Sequence, residues 1–201
     1  MAPDPVSYQM ADEPALIERA QGGELAAFDR LVRQHQQQVF AVALRMLGDP
    51  DEAQDVAQDA FVRAFRSIGA FRREAKLSTW LIAITMNLCR NRRRWWARRK
   101  RVIAGPLEAP ADPGEESIGE QVADPSPTPA EIAQRREQGG QILAALQRLT
   151  EDARVVVVLR DVQGHSYEEI AQMLRCQVGT VKSRLNRARW QLRALLDGTL
   201  R

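Results

Sequence analysis

Apolar positions recur at helical spacing along most of this chain. Leu25, Phe28, Leu31, Val32, Val39, Val42 and Met46 mark the inward side of a long helix over residues 24–47. Val56, Ala60, Ala64 and Ile68 do the same for residues 51–67. Leu77, Leu81, Ile84 and Leu88, at spacings of four, three and four, give a third stripe. After a long interruption the pattern resumes. Ile132, Ile142, Leu143, Leu146 and Leu149 predict a helix over 131–149, and Leu149, Val155, Leu159 and Val162 another over 151–162. Residues 155–158 are all valine, which propensity alone assigns to a strand. No neighbouring segment offers a partner strand, so the helical face decides. Ile170, Ala171 and Leu174 predict a short helix, and Val178, Val181, Leu185, Ala188 and Leu192 a last one over 178–196.

Punctuation supports these elements. Gly22-Gly23 stops a short helix over 13–20, and Gly48 stops the long one. Asp49 caps the next helix, Pro50 takes its first position, and Glu52 suggests a capping box. Ser78 or Thr79 stands near the start of the third striped helix, after a loop over 71–76. Thr150 caps the helix at 151, and Ser166 with Glu169 forms a second capping box. Gly139-Gly140 weakens the middle of its helix, since each glycine costs about 1 kcal/mol against alanine. The fold class is therefore all-α, two small helical domains joined by a linker. An N-terminal tail and short helix occupy 1–23, with residues 1–12 expected to lack order. A helical bundle follows over 24–101, a linker over 102–134, and a helix-turn-helix domain over 135–201. The linker is acidic, rich in proline and glycine, and contains no lysine or arginine, so it cannot bury enough apolar area to order itself.

Composition narrows the function. The 201 residues are 44% hydrophobic, enough to bury globular cores. Two cysteines, Cys89 and Cys176, stand far apart with no metal-ligand spacing, which argues against a disulfide framework or zinc site and fits a reducing cytoplasm. No apolar run reaches the roughly 18 residues of a membrane span, and the first residues lack signal-peptide regions, so a cytoplasmic location is expected. His35 and His165 are scattered, no paired-carboxylate pocket is evident, and His35 in its glutamine-rich patch reads as a surface residue. No enzyme activity and no cofactor are expected.

The net charge is only +3, yet its distribution is uneven. Residues 71–101 hold eleven lysines and arginines, one acid, and three of the four tryptophans. Cations interleaved with aromatics suit single-stranded nucleic acid, which offers phosphates and stackable bases. Trp80, Ala83, Asn87, Arg90, Asn91 and Arg94 share a face of that helix away from its apolar stripe. In the last domain, a short helix, a tight turn at 175–177 and a longer helix form a helix-turn-helix. The outer side of the longer helix carries Thr180, Lys182, Ser183, Asn186, Arg187 and Arg189, side chains able to take base edges and phosphates of a duplex. Arg175 fills the turn position that often holds glycine. Between residues 51 and 63, Asp51, Asp55, Gln58, Asp59 and Arg63 form an outer face that suits either solvent or a basic protein partner.

Three segments, DEAQDVAQDAFVRAF, STWLIAITMNLCRNRRR and HSYEEIAQML followed by GTVKSRLNRARWQLR, together resemble sigma factors of the sigma-70 family, in particular the extracytoplasmic-function group. The resemblance spans about residues 26–96 and 144–196. It implies that Asp55, Gln58 and Asp59 meet the clamp helices of the polymerase β′ subunit, with further contacts to the β subunit. It implies that Phe71, Arg72 and the loop to Lys76, with Asn87, Asn91 and Arg94, hold the unpaired strand of the −10 element around a flipped base. Trp80 would anchor that helix and shape the pocket. Lys182, Ser183, Asn186 and Arg187, flanked by Thr180 and Arg175, would read the −35 element as duplex. Gln177 and Arg175 replace a proline and a glycine common in the family. Promoter melting would be driven by binding, and an anti-sigma factor is an implied partner. The competing reading is a stand-alone helix-turn-helix regulator, for which the basic helix and the acidic face are surplus.

Overall fold

The structure is a computed structural model that describes residues 13–103 and 129–199. Its elements are α1 (Glu13–Gln21), α2 (Leu25–Leu47), α3 (Pro50–Ser67), a 3-10 turn (Ile68–Ala70), α4 (Leu77–Ile103), α5 (Pro129–Arg148), α6 (Glu151–Val157) running on as a π-helical turn (Val158–Val162), α7 (Tyr167–Leu174) and α8 (Val178–Thr199). No strand occurs among the described residues. The valine run is helical, with Val155 to Val158 all buried. Here burial overrides β-propensity, because a helix in this place fills the core of the C-terminal half.

Local signals set most boundaries. Gly48 takes a left-handed φ of 81° and its N–H donates to Leu44 O, closing α2. Asp49 accepts from Glu52 N at 2.9 Å, so the cap is real. The expected box is only half formed, because the Glu52 carboxylate goes instead to Arg92 at 2.9 Å. Thr150 caps α6, and the Ser166–Glu169 box opens α7 with both bonds present. Helix α4 starts at Leu77, which places Ser78 and Thr79 inside its first turn rather than at its cap. Gly139-Gly140 does not interrupt α5. Helix also takes in both ends of the expected linker, since α4 reaches Ile103 and α5 begins at Pro129. Residues 104–128 and the 1–12 tail lie outside the described residues, as does the side chain of Ile132.

Helices α1 to α4 form one bundle and α5 to α8 another, but their buried apolar residues make one continuous cluster from Leu16 to Ala188. Four expectations from the sequence fail at its margins. His35 is buried, not on the surface, because α1 covers it and brings Glu13 Oε2 to 3.2 Å from its Nε2. Leu25, Ile142 and Val162, expected to face inward, are 65%, 47% and 41% exposed; Leu25 is the first residue of α2, ahead of the turns that the core covers. Val162 ends the π-helical turn, whose wider winding carries it off the buried face.

Candidate nucleic-acid interface

The loop over 71–76 is tied down by a residue far away in sequence. Gln21 Nε2, at the end of α1, donates to Ile68 O at 3.0 Å and to Phe71 O at 2.8 Å. Arg73 returns a bond to Gln21 Oε1 at 3.3 Å and holds a positive φ of 57°. Phe71 itself is 7% exposed, and its ring lies 5.0 Å from that of Trp80, tilted by 36°. The two rings thus form a floor under the loop. Phe71 supports the surface from below and offers no free face to a base, while Trp80 is half-buried beside it.

Above that floor Arg72 and Lys76 are exposed, and along α4 so are Asn87, Asn91 and Arg94. Asn87, Asn91 and Arg94 follow one another at spacings of four and three, so they share one face. Their surface is cationic and carries two amides, able to take phosphates and base edges at once. Asn91 also lines a cleft between α3 and α4 with Val56, Asp59, Leu88, Arg92, Trp95 and Arg98. Trp95 is 44% exposed, and the Arg99 guanidinium lies 5.0 Å over its ring, a stacking arrangement suited to unpaired bases.

On α3, Asp55, Gln58 and Asp59 are exposed on one outer side. Gln58 borders a groove shared with α2 that also includes Val32, Gln36, Gln37, Phe40, Gln54, Ala57 and Phe61. Asp59 borders the α4 cleft on the other flank. Asp55 lies 4.0 Å from Arg92, at the outer limit of an ion pair.

In the C-terminal half, α7, the turn and the start of α8 adopt helix-turn-helix geometry. Arg175 takes φ 51° and ψ 50°, the left-handed conformation usually left to glycine, and its N–H bonds back to Ala171 O and Gln172 O. Lys182, Ser183, Asn186 and Arg187 are exposed, and Thr180 is half-buried at the helix start. Ser183 Oγ donates to Thr180 O at 3.0 Å. The Lys182 ammonium lies 5.5 Å over the Tyr167 ring, whose surroundings also hold Arg160 at 4.7 Å. Arg189, grouped with these residues by sequence, is committed to an ion pair with Asp161.

Sequence reading missed several residues. Gln21 carries no pattern of its own, and Trp95, one of the three tryptophans interleaved with cations over residues 71–101, is given no individual role. Arg90, placed on the nucleic-acid face by spacing, is pulled aside by Glu151 at 3.2 Å and Asp152 at 3.5 Å. Arg154 is fully buried, a position no hydrophobic stripe assigns to arginine.

Comparison with known proteins gives consistent matches over both halves. Residues 31–101 match the family model for sigma-70 region 2, and residues 139–192 match that for sigma-70 region 4. The RNA polymerase sigma-H factor of Pseudomonas aeruginosa is 36% identical over 186 residues, covering 92% of this chain and 94% of that protein. The ECF RNA polymerase sigma-E factor of Escherichia coli K12 is 34% identical over 184 residues, covering 92% and 93%. Among solved structures, the sigma factor RpoE in complex with the anti-sigma factor NepR from Bartonella quintana aligns with a TM-score of 0.65 at 26% identity, covering 85% of this chain and 96% of that one. CnrH in complex with the cytosolic domain of CnrY aligns at 0.61 and 28% identity, covering 92% and 97%.

Proposed function

The chain belongs to the extracytoplasmic-function group of the sigma-70 family, and from this we propose how its surfaces divide the work of a sigma factor. It joins core RNA polymerase and directs it to promoters. Asp55, Gln58 and Asp59 on α3 dock to the β′ clamp helices, and the C-terminal module reaches the β subunit. Arg72, Lys76, Asn87, Asn91 and Arg94 bind the unpaired strand of the −10 element. Phe71 and Trp80 act beneath them as a support for the loop. Lys182, Ser183, Asn186 and Arg187, with Thr180 and Arg175 at the edges, bind the −35 element as duplex. We assign the region-2 module to residues 24–101 and the region-4 module to 135–201.

Two exposed cationic faces, one in each family-matched half, support this reading most. One is mounted on an aromatic floor and rich in amides, which suits opened strands. The other is the outer side of a recognition helix, which suits a major groove. Neither module needs a bound nucleotide for this, since captured bases offset an unstacking cost of a few kcal/mol. Sigma factors are not enzymes, and no helix among the described residues is long and apolar enough to cross a membrane. A cytoplasmic site of action follows from the polymerase partner. The RpoE–NepR complex supports control by an anti-sigma factor.

Run-off transcription with core polymerase on a promoter panel tests the assignment. Asn87→Ala should leave polymerase binding in a pull-down intact and reduce permanganate-detected promoter opening at least tenfold. Equal loss in both assays removes Asn87 from the strand-binding face.

A further inference from the structure

The loop of the −10 surface is held from outside by one side chain that uses both its donors and its acceptor. Gln21 ends α1 and is half-buried. Its Nε2 amide donates one hydrogen to Ile68 O at 3.0 Å and the other to Phe71 O at 2.8 Å. The Phe71 N–H closes the 3-10 turn onto the same Ile68 oxygen at 3.0 Å. Gln21 Oε1 accepts from Arg73 Nη2 at 3.3 Å. Among side chains of this length only a primary amide offers two donors and an acceptor together. Gln21 is itself fixed in place. Leu16, Ile17 and Ala20 bury the inner side of α1. The chain then leaves α1 through a turn in which Glu24 N–H bonds to Arg19 O at 3.0 Å and the two side chains form an ion pair.

These three bonds fall on the loop and the turn that feeds it. Arg73 stands at φ 57°, a conformation that L-residues adopt at a cost and that persists where the surroundings over-determine it. Its guanidinium turns back to Gln21, whereas its neighbours Arg72 and Lys76 are exposed. With Phe71 O pinned, the Phe71 ring stays against Trp80, 5.0 Å between centroids, and the chain leaves that floor in one direction. Water satisfies carbonyls of this kind on most loops. What a fixed amide adds is a single conformation.

We propose that Gln21 is a positioning residue that sets base discrimination at the −10 element, acting through the loop and touching no DNA itself. The proposal rests on the −10 assignment made above. A loop ordered anew by each ligand adapts to matched and mismatched bases alike. A loop held in advance does not adapt, so a wrong base leaves polar groups unpaired and is rejected. The latch keeps Arg72 and Lys76 in one arrangement over the Phe71–Trp80 floor. Without it the same cations still attract phosphates, but the surface loses its choice of base.

Holoenzyme assembled with the full chain tests this. One promoter transcribed in the run-off panel is taken with its single-base variants at each −10 position, and opening of each is followed by permanganate footprinting. The ratio of matched to mismatched opening within one preparation does not depend on how much of the chain is folded. Gln21→Met keeps the length of the side chain and removes all three bonds. Gln21→Glu keeps the acceptor for Arg73 and loses both donors. Both variants should retain polymerase binding in a pull-down. In each, the ratio at the most strongly discriminated base should shrink at least fivefold, which assigns the effect to the two carbonyl bonds. A ratio unchanged in both variants, whether opening falls on every template or on none, makes Gln21 a structural residue only and overturns the proposal. The unsubstituted holoenzyme separates this from the reading beneath it. If it opens matched and mismatched −10 elements alike, the −10 assignment fails and the latch with it; if it discriminates and both variants discriminate equally well, the latch alone fails.

Discussion

Arg175 shows how one side chain can be kept against the preference of its backbone. At φ 51° it is one of two non-glycine residues with positive φ among the described residues, and that conformation costs an L-residue of order 1 kcal/mol. Nothing within the fold repays it: the Arg175 side chain is exposed and its backbone bonds are ones any residue makes. Its position at the mouth of the recognition helix supplies a reason, a phosphate contact beside the −35 element. Arg175→Gly should therefore raise stability by about 1 kcal/mol, read as a higher urea midpoint at unchanged m-value. The same variant should bind a −35 duplex several-fold more weakly, with a shallower salt dependence. Unchanged duplex affinity in a titration would leave the strained arginine without a function.

At the scale of elements, α7 gathers two titrating groups that respond alike to acid. Ser166 N–H donates to Glu169 Oε2 at 2.7 Å, and this bond, more than any other influence, holds the carboxyl below its ordinary range. His165 is held below 6.5, chiefly by burial, although Glu169 pulls it upward. In both cases the unfolded chain binds its proton first as pH falls, so stability is fully present above the ordinary value and lost below it. Urea midpoints should decline from about pH 6.5 downward through His165 and further below about 4.5 through Glu169. Ser166→Ala removes the hydroxyl that accepts from Glu169 N and should lower stability by about 1 kcal/mol at neutral pH, while Glu169→Gln, which removes the titrating carboxyl itself, should flatten the acid limb below about 4.5. An unaltered limb in Glu169→Gln would show that the Glu169 carboxyl is not what acid acts on there.

This element also marks how far the sequence reaches. The Ser166–Glu169 box, the Gly48 stop and the Thr150 cap were legible because each is written within four residues. The basic and aromatic surface of α4 was legible because charge and period coincide there. Arg154, Gln21 and His35 were not, because their partners stand 108, 47 and 22 residues away. A periodic pattern reports which side of a helix faces inward but not what covers it. Arg90 was placed on the strand-binding face by its spacing and is drawn off it by Glu151, an acid from the other module. Phe71 was expected at the nucleic-acid surface for its type and proves to be the floor beneath it, since its ring packs on Trp80.

For the whole molecule, cooperativity belongs to the junction between the bundles rather than to either one. A shared apolar cluster and the bonds from Gln147 and Arg154 to the Arg45 and Met46 carbonyls of α2 couple the modules, so the free chain should unfold in one calorimetric transition, with van't Hoff and calorimetric enthalpies equal. Gln147 is the place to break this. It donates to Arg45 O and accepts from Arg93 and Arg154, at 3.0, 3.3 and 2.6 Å, yet lies outside both apolar cores. Gln147→Ala leaves the buried Arg154 short of an acceptor. That guanidinium is already lowered to about 10, first by burial and then by Arg93 nearby, so the loss should cost about 1–3 kcal/mol. Because two of the three bonds lost, those to Arg45 O and from Arg93, run between the modules, the calorimetric enthalpy should exceed the van't Hoff value as the two bundles melt separately. A single sharp transition, merely shifted to lower temperature, would instead mean that the apolar cluster alone binds the halves and that the polar contacts at the junction have no part in coupling them.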